Sequence, residues 1–204
     1  MEQSKDGRYF EYGEKEIEYL KKKDKKLGGL IDRIGMLYPK VTADLFAALV
    51  DSVISQQISS KAASSIHNRL MEMTEITAEK IDSMEAAEIQ KCGVSFRKAE
   101  YIKSIAKAVV SKEIDVGGLR CMSDAAIIGE LVKLKGVGVW TAEMMLIFSF
   151  ERTDVISYGD LGIRRNMMAL YGLKALSKEK FARYAKRYSP YASVASFYLW
   201  AMTD

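Results

Sequence analysis

Residues 134–140 read Leu-Lys-Gly-Val-Gly-Val-Trp, and an acidic residue, Asp160, follows further along the chain. A Gly-Val-Gly turn between two apolar-periodic segments predicts two helices joined by a tight hairpin, because glycine adopts positive φ and lets another backbone approach closely. The second helix offers free N–H groups and the positive end of its dipole to an anion. A carboxylate repels phosphate, so Asp160 does not help to bind an anion. It indicates instead a chemical reaction next to a surface that binds a polyanion.

Three further segments accompany the hairpin. They are Ser55-Gln56-Gln57-Ile58-Ser59 with Lys61-Ala62-Ala63, then Asp160-Leu161-Gly162-Ile163-Arg164-Arg165, and then Ser189-Pro190-Tyr191 through Tyr198-Leu199-Trp200. With the hairpin, and in this order, they resemble the motifs of the helix-hairpin-helix Gly/Pro…Asp (HhH-GPD) DNA glycosylases. The branch they resemble is that of the 3-methyladenine (alkylpurine) glycosylases. The resemblance covers most of the chain from about residue 10.

The resemblance implies an all-α fold of two helical lobes, with DNA bound in the cleft between them. One lobe is expected to combine residues 1–54 and 155–204. The other is expected to span residues 55–154 and to contain the hairpin 134–140. One pair of lobes already makes a whole site, so we expect a monomer.

Composition limits the chemistry. The 204 residues carry a net charge of +4, which permits a nucleic-acid partner without requiring one. Two cysteines, Cys92 and Cys121, cannot supply the four thiolates of the iron–sulfur cluster found in relatives that resemble endonuclease III. His67 is the sole histidine, so the sequence predicts no metal site. We find no signal peptide or long apolar span, and expect a cytoplasmic protein, or a nuclear one in a eukaryote, without a membrane partner.

Apolar periodicity and capping residues predict helices along the whole chain and no strand. Residues 1–10 are polar and expected to be loose, and Glu14–Lys26 is expected to be one charged helix or turn whose lysines form a solvated face. The predicted signals are N-caps at Thr42, Ser95 and Ser123 or Asp124, a helix over about 60–72, a C-terminal glycine at Gly172, and a Ser189-Pro190 start of the last helix.

Asp160 is the candidate catalytic residue, by its place in the family's motif. Excision breaks the C1′–N9 bond of a purine nucleotide, and a carboxylate near C1′ stabilises the oxocarbenium-like sugar and orients the attacking water. Its position before an apolar-periodic helix also predicts a helix N-cap, and both roles are compatible. The family usually has proline where this chain has Ser157, which predicts a looser approach to the carboxylate.

Trp140 stands where family members that also cut the backbone have a lysine. Because tryptophan cannot form a Schiff base, the resemblance implies a monofunctional enzyme that leaves an abasic site. Packing in the core is the other interpretation of Trp140. Lys135 is interpreted as a phosphate contact.

A flipped alkylpurine carries positive charge and is attracted to aromatic faces. Trp200 matches a pocket aromatic of the family, and Trp140, Tyr158, Tyr198 and Met144 are further candidates for the base pocket. Packing inside the last helix is the alternative for Tyr198.

The Gln56-Gln57 pair lies in the segment that, in the family, fills the gap left by the flipped base. Amides hydrogen-bond the edge of any base, and we prefer Gln57 for this role. The alternative is that both are ordinary solvated residues. Further predicted DNA contacts are Ser59, Lys61, Arg97, Lys98, Arg164 and Arg165.

The phosphate itself is expected at the amides of Gly136, Gly138 and Trp140. The resemblance allows a monovalent cation on the hairpin carbonyls and no other cofactor. Ala192 stands where many relatives have arginine, so one phosphate or lobe-bridging contact is expected to be absent.

The sequence therefore predicts a DNA glycosylase that flips and excises 3-methyladenine or 7-methylguanine from damaged duplex DNA in base excision repair. Two alternatives stay open. One is a glycosylase for hypoxanthine, uracil or an oxidised purine, and the other is a non-catalytic helix-hairpin-helix DNA-binding protein.

Overall fold

The computed structural model describes residues 8–202. Within that range the chain forms twelve α-helices and one short 3-10 helix, and the one β-type pairing is an isolated bridge between Tyr9 and Lys40. The all-α prediction is confirmed. The α-helices are α1 Glu14–Lys23, α2 Lys25–Ile34, α3 Leu45–Ser55, α4 Ser60–Met73, α5 Ala78–Ser83, α6 Ala86–Gln90, α7 Phe96–Val110, α8 Asp124–Leu131, α9 Val139–Phe148, α10 Leu161–Tyr171, α11 Lys178–Tyr188 and α12 Ala192–Trp200.

The chain divides into two compact units. The continuous unit runs Thr42–Met145, and the split unit joins the described residues up to Val41 with those from Leu146 onward. Both divisions come earlier than the expected ones after residues 54 and 154. The first lies before α3 because α3 packs on α4 and α7 of the continuous unit. The hairpin belongs to this unit as expected.

The core of the continuous unit forms where α3, α4, α5 and α7 pack together. Leu49 and Val53 of α3 and Ile102 and Ile105 of α7 are fully buried and follow the helical spacing that the sequence shows. The expected N-cap at Thr42 is wrong. Asp44 caps α3 instead, and its carboxylate accepts the amide of Ala47 at 3.0 Å.

The split unit is built around α12, whose residues Ala192–Leu199 are all buried. Residues 1–7 lie outside the described part of the chain, but the expectation of a loose segment is wrong for Phe10. This ring is 4% exposed and packs edge-to-face on Phe197, with 5.0 Å between ring centroids. The interpretation of Ser189-Pro190 as a helix start is also wrong, because Ser189 ends α11.

The expected caps at Ser95, Ser123 and Gly172 are confirmed, and Gly172 has the left-handed backbone of a helix end. The single helix or turn over Glu14–Lys26 is instead two helices, since Asp24 ends α1 and its carboxylate accepts the first free amides of α2. None of the helices described is long and apolar enough to cross a membrane.

Candidate functional sites

Gly136 shapes the hairpin between α8 and α9. Its φ is +85°, and a Cβ at this position would lie 2.4 Å from the Tyr101 ring of α7. Two constraints therefore require glycine here: the left-handed backbone and the close approach of an aromatic ring.

Gly138 differs from Gly136, because no atom of the protein lies within 4 Å of the position where its Cβ would be. It is exposed, and Val139, the first residue of α9, is 56% exposed. In the part of the chain that the structure describes, neither the amide of Gly136 nor that of Gly138 donates to an acceptor. The turn therefore presents amides at the positive end of a ten-residue helix, with open space through which an anion can approach. Lys135, on the same turn, is exposed.

The turn after α3 contacts the hairpin through Gln56. The amide nitrogen Nε2 of Gln56 donates to the Gly136 carbonyl at 2.8 Å. Lys98 Nζ donates to the carbonyls of Ile54 at 2.8 Å and Gln56 at 2.6 Å, and burial lowers the pKa of this ammonium. Gln56 and Lys98 therefore hold the turn to its own unit, which the interpretation of both side chains as DNA contacts did not anticipate.

Gln57 is exposed and has a positive φ of +60°, a conformation that non-glycine residues seldom adopt. Within the described residues, the Gln57 side chain makes no hydrogen bond, whereas that of Gln56 does. Gln57, Ile58 and Arg97 line one cavity of about 250 Å³, and Arg97 is exposed at the start of α7. Ser59 instead caps α4 by accepting the amide of Ala62.

Asp160, in the split unit, is 8% exposed and caps α10, with its Oδ1 accepting the amide of Ile163 at 2.8 Å. The N-cap interpretation is therefore confirmed. Ser157, at the position of the family's proline, is fully buried, and its carbonyl accepts the Asp160 amide at 3.4 Å. A closed turn thus precedes the carboxylate without proline.

Trp200 lies close to Asp160. A Cβ at Gly162 would be 3.2 Å from Asp160 Oδ1 and 3.7 Å from Trp200 Cδ1, so carboxylate and indole border the same spot at the start of α10. The indole is partly exposed and stacks on Phe148, with 5.7 Å between centroids. Carboxylate and aromatic face are thus combined within one unit.

Two other predicted pocket residues have structural tasks. Tyr198 is fully buried and its hydroxyl donates to the Gly35 carbonyl at 3.1 Å, so the packing alternative is correct for it. The Tyr158 ring has the Arg164 guanidinium at 5.0 Å and Lys178 Nζ at 5.7 Å from its centroid. A base contact of Tyr158 stays a prediction, and a cationic base would meet a ring that already has two cations next to it.

Trp140 and Met144 belong to the continuous unit, on the first two turns of α9. Trp140 is 43% exposed, so the interpretation as a core residue is wrong. Met144 is partly exposed.

The remaining basic candidates are distributed over both units. Lys61 is exposed on α4, and Arg165 is exposed on α10. Arg164 and Arg165 line a cavity of about 450 Å³ with Leu161, which is 72% exposed directly after Asp160. Sequence reasoning missed Leu161, although an apolar side chain at the first position of a helix was a visible signal. Ala192 is buried, and its amide donates to Asp154 at 3.3 Å.

Comparison with known proteins identifies related chains. Residues 50–190 match the family model described as HhH-GPD superfamily base excision DNA repair protein. The DNA-3-methyladenine glycosylase 1 of Schizosaccharomyces pombe is 35% identical over 161 residues, which cover 76% of this chain and 71% of that protein. The DNA-3-methyladenine glycosylase of Saccharomyces cerevisiae is 32% identical, and the match covers 81% of this chain and 69% of that protein.

Solved structures are also similar. The DNA-3-methyladenine glycosidase of Bacillus halodurans superposes with a TM-score of 0.82 at 34% identity, covering 95% of this chain and 91% of that one. The 3-methyladenine DNA glycosylase of S. pombe in complex with abasic DNA superposes with a TM-score of 0.82 at 32% identity. The match covers 91% of this chain and 95% of that one.

Proposed function

This chain belongs to the HhH-GPD superfamily of base excision DNA repair proteins, and we propose that it is a monofunctional glycosylase that excises alkylated purines from duplex DNA. Relatives of this length and identity that carry the name 3-methyladenine glycosylase support the lesion class. The observation that carries the proposal is the buried Asp160 carboxylate next to the partly exposed Trp200 indole.

The chemistry follows from that pair. The C1′–N9 bond breaks with its electrons leaving on the purine, and the sugar develops positive charge that the Asp160 carboxylate stabilises. Water then forms the new bond to C1′ and its proton passes to the carboxylate or to solvent. N-alkylation makes the purine cationic and hence a good leaving group, and the Trp200 face attracts it.

The continuous unit supplies the grip on DNA. The open amides at Gly136 and Gly138 suit one phosphate, and the exposed Lys135, Lys61 and Arg97 add charge-assisted contacts. Gln57 fills the gap left by the flipped base, because its side chain is exposed on a turn that Gln56 and Lys98 hold in place.

Alanine substitutions at the two glutamines separate these roles. Gln57→Ala is expected to lower kcat/KM for excision about tenfold, through loss of contacts worth about 1.4 kcal/mol, without changing thermal stability. Gln56→Ala removes the bond to Gly136 and is expected to lower the free energy of unfolding by about 1 kcal/mol. Excision kinetics and urea unfolding of both variants check this, and equal stability losses would contradict the assignment.

No step of this mechanism uses a metal or cofactor. The described residues contain no group of three or more His, Cys, Asp or Glu side chains that could hold a metal ion. The Gly136 carbonyl accepts the Gln56 amide, which leaves one lone pair of that oxygen for a monovalent cation, and such a cation stays a prediction.

Monofunctionality rests on Trp140, which has no amine to attack C1′. With a duplex carrying one 7-methylguanine, we expect abasic product that stays uncut until alkali is added. We expect no covalent enzyme–DNA adduct after borohydride reduction. Strand cleavage without alkali, together with a trapped adduct, would show lyase activity and contradict this part of the proposal.

The lesion class is tested on matched duplexes that carry hypoxanthine, uracil or 8-oxoguanine at the same position. The cationic purine is expected to be excised fastest because its leaving group needs the least help. Faster excision of a neutral lesion would favour the alternative glycosylase. Tight binding without excision of any lesion would favour the non-catalytic binding protein.

A further inference from the structure

A basic groove lies in the split unit, at the far end of α10 from Asp160. It has a volume of about 340 Å³ and we call it the lysine–tyrosine groove. Its lining residues are Lys23, Asp24, Lys25, Lys26, Tyr171, Tyr184 and Arg187. The lysines come from the Lys-rich end of the first predicted helix, to which the sequence assigned only a solvated face.

The charge of the groove is largely uncompensated. Asp24 is the one carboxylate among its lining residues, and it is 5% exposed. Its oxygens cap α2 and contact Arg187 at 3.3 Å. Lys23, Lys25 and Lys26 are exposed, and none of them is within ion-pair distance of a carboxylate in the described residues. Three ammonium groups that no carboxylate neutralises lie around one cavity, which suits an anion with several charges.

The two tyrosine rings of the groove each lie next to a cation. Tyr171 and Tyr184 stack on each other with 4.1 Å between centroids. Lys26 Nζ lies 5.9 Å from the centroid of Tyr171, and the Arg187 guanidinium lies 4.8 Å from that of Tyr184. Each ring therefore already has an aromatic neighbour and a cation next to it, which disfavours stacking of the bases of single-stranded nucleic acid. Burial raises the pKa of Tyr171, so this ring adds no negative charge.

The groove is also separate from the reacting carboxylate. Asp160 caps the first turn of α10, and Tyr171 is the last residue of this helix of 11 residues. A rise of 1.5 Å per residue puts the two ends about 16 Å apart.

We propose that the lysine–tyrosine groove binds backbone phosphates of undamaged duplex DNA, at a place separate from the reacting carboxylate. Contacts of lysine with phosphate carry no sequence information, so they hold the protein on any stretch of duplex while it searches for damage. The inference rests on DNA being the substrate, but it does not depend on base release.

The test compares two triple variants with equal net charge. Lys23→Gln/Lys25→Gln/Lys26→Gln removes the groove charge, and the control Lys80→Gln/Lys107→Gln/Lys112→Gln removes three exposed lysines of the continuous unit. Affinity for an undamaged 24-base-pair duplex is measured against salt concentration. The slope of log K against log salt is expected to become shallower by about two to three for the groove variant, close to 0.9 per lost phosphate contact. The control is expected to keep the wild-type slope.

Two results would overturn the assignment. Equal slopes for both variants would mean that the groove does not contact DNA or that only total charge matters. Binding of poly-glutamate that the groove variant loses, with an unchanged slope for duplex, would assign the groove to an acidic protein segment instead. Circular dichroism melting of both variants verifies that they fold. Undamaged DNA keeps this outcome independent of glycosylase activity.

Discussion

Asp160→Asn is expected to slow base excision by about 10²- to 10³-fold while folding and DNA affinity stay close to wild type. Asparagine is as good an N-cap as aspartate, so its side-chain oxygen can still accept the Ile163 amide that Asp160 accepts at 2.8 Å. The substitution removes the negative charge that stabilises the cationic sugar. Single-turnover excision with excess enzyme, together with DNA affinity and thermal melting, measures the three quantities separately.

Asp44→Asn is the matched control. Asp44 caps α3 through the amide of Ala47 at 3.0 Å, so the same chemical change is made at the same helix position in the other unit. Its excision rate is expected to equal that of wild type. An Asp160→Asn enzyme that keeps its rate within threefold would remove Asp160 from the chemistry. Equal rate losses in both variants would show that the effect of Asp160→Asn is not specific to the proposed catalytic carboxylate.

Gly136→Ala is expected to lower the free energy of unfolding by about 2–6 kcal/mol. A left-handed backbone costs a non-glycine residue about 1–3 kcal/mol, and overpacking costs a similar amount. Both apply, because φ is +85° and the new Cβ would lie 2.4 Å from the Tyr101 ring. Urea unfolding of the variant measures the loss.

Gly138→Ala, two residues later, is expected to leave stability unchanged, since no protein atom lies within 4 Å of the added methyl group. DNA affinity is expected to fall about tenfold, because the methyl group keeps phosphate from the amides of the turn and weakens charge-assisted hydrogen bonds. A stable Gly138→Ala protein with wild-type affinity would place the phosphate elsewhere. A Gly136→Ala protein as stable as wild type would contradict the geometry of the hairpin.

The sequence predicted what depends on local pattern. Ser95, Ser123 and Asp160 all precede apolar-periodic runs, and each caps the helix that it was expected to cap. The prediction of Thr42 as the N-cap was wrong because Asp44, two residues later, also caps well and is nearer to the buried start of α3. Capping residues compete, and tertiary packing decides which one begins the helix.

Contacts between distant segments could not be predicted. Lysine is a residue type that often contacts phosphate, so Lys98 was predicted to bind DNA. It donates instead to carbonyls at the end of α3, which it reaches because α7 packs on α3. Tyr198 matched an aromatic segment of the family, yet its position inside the buried helix α12 leaves it no exposed surface. Tyr158 is next to two cations that come from α10 and α11. In each case the residue type suits a contact with DNA or with a flipped base, but packing in the folded protein brings the side chain to a different partner.

Mass spectrometry of the small molecules released from methylated duplex DNA by the wild-type protein and by Asp160→Asn shows directly whether the protein excises alkylated bases and whether it uses Asp160 to do so. We predict free 3-methyladenine or 7-methylguanine from wild type, with release by the variant slower by at least about a hundredfold. Wild-type protein that binds the duplex but releases no base would contradict the glycosylase activity, and a variant that releases the bases at the wild-type rate would contradict the role of Asp160.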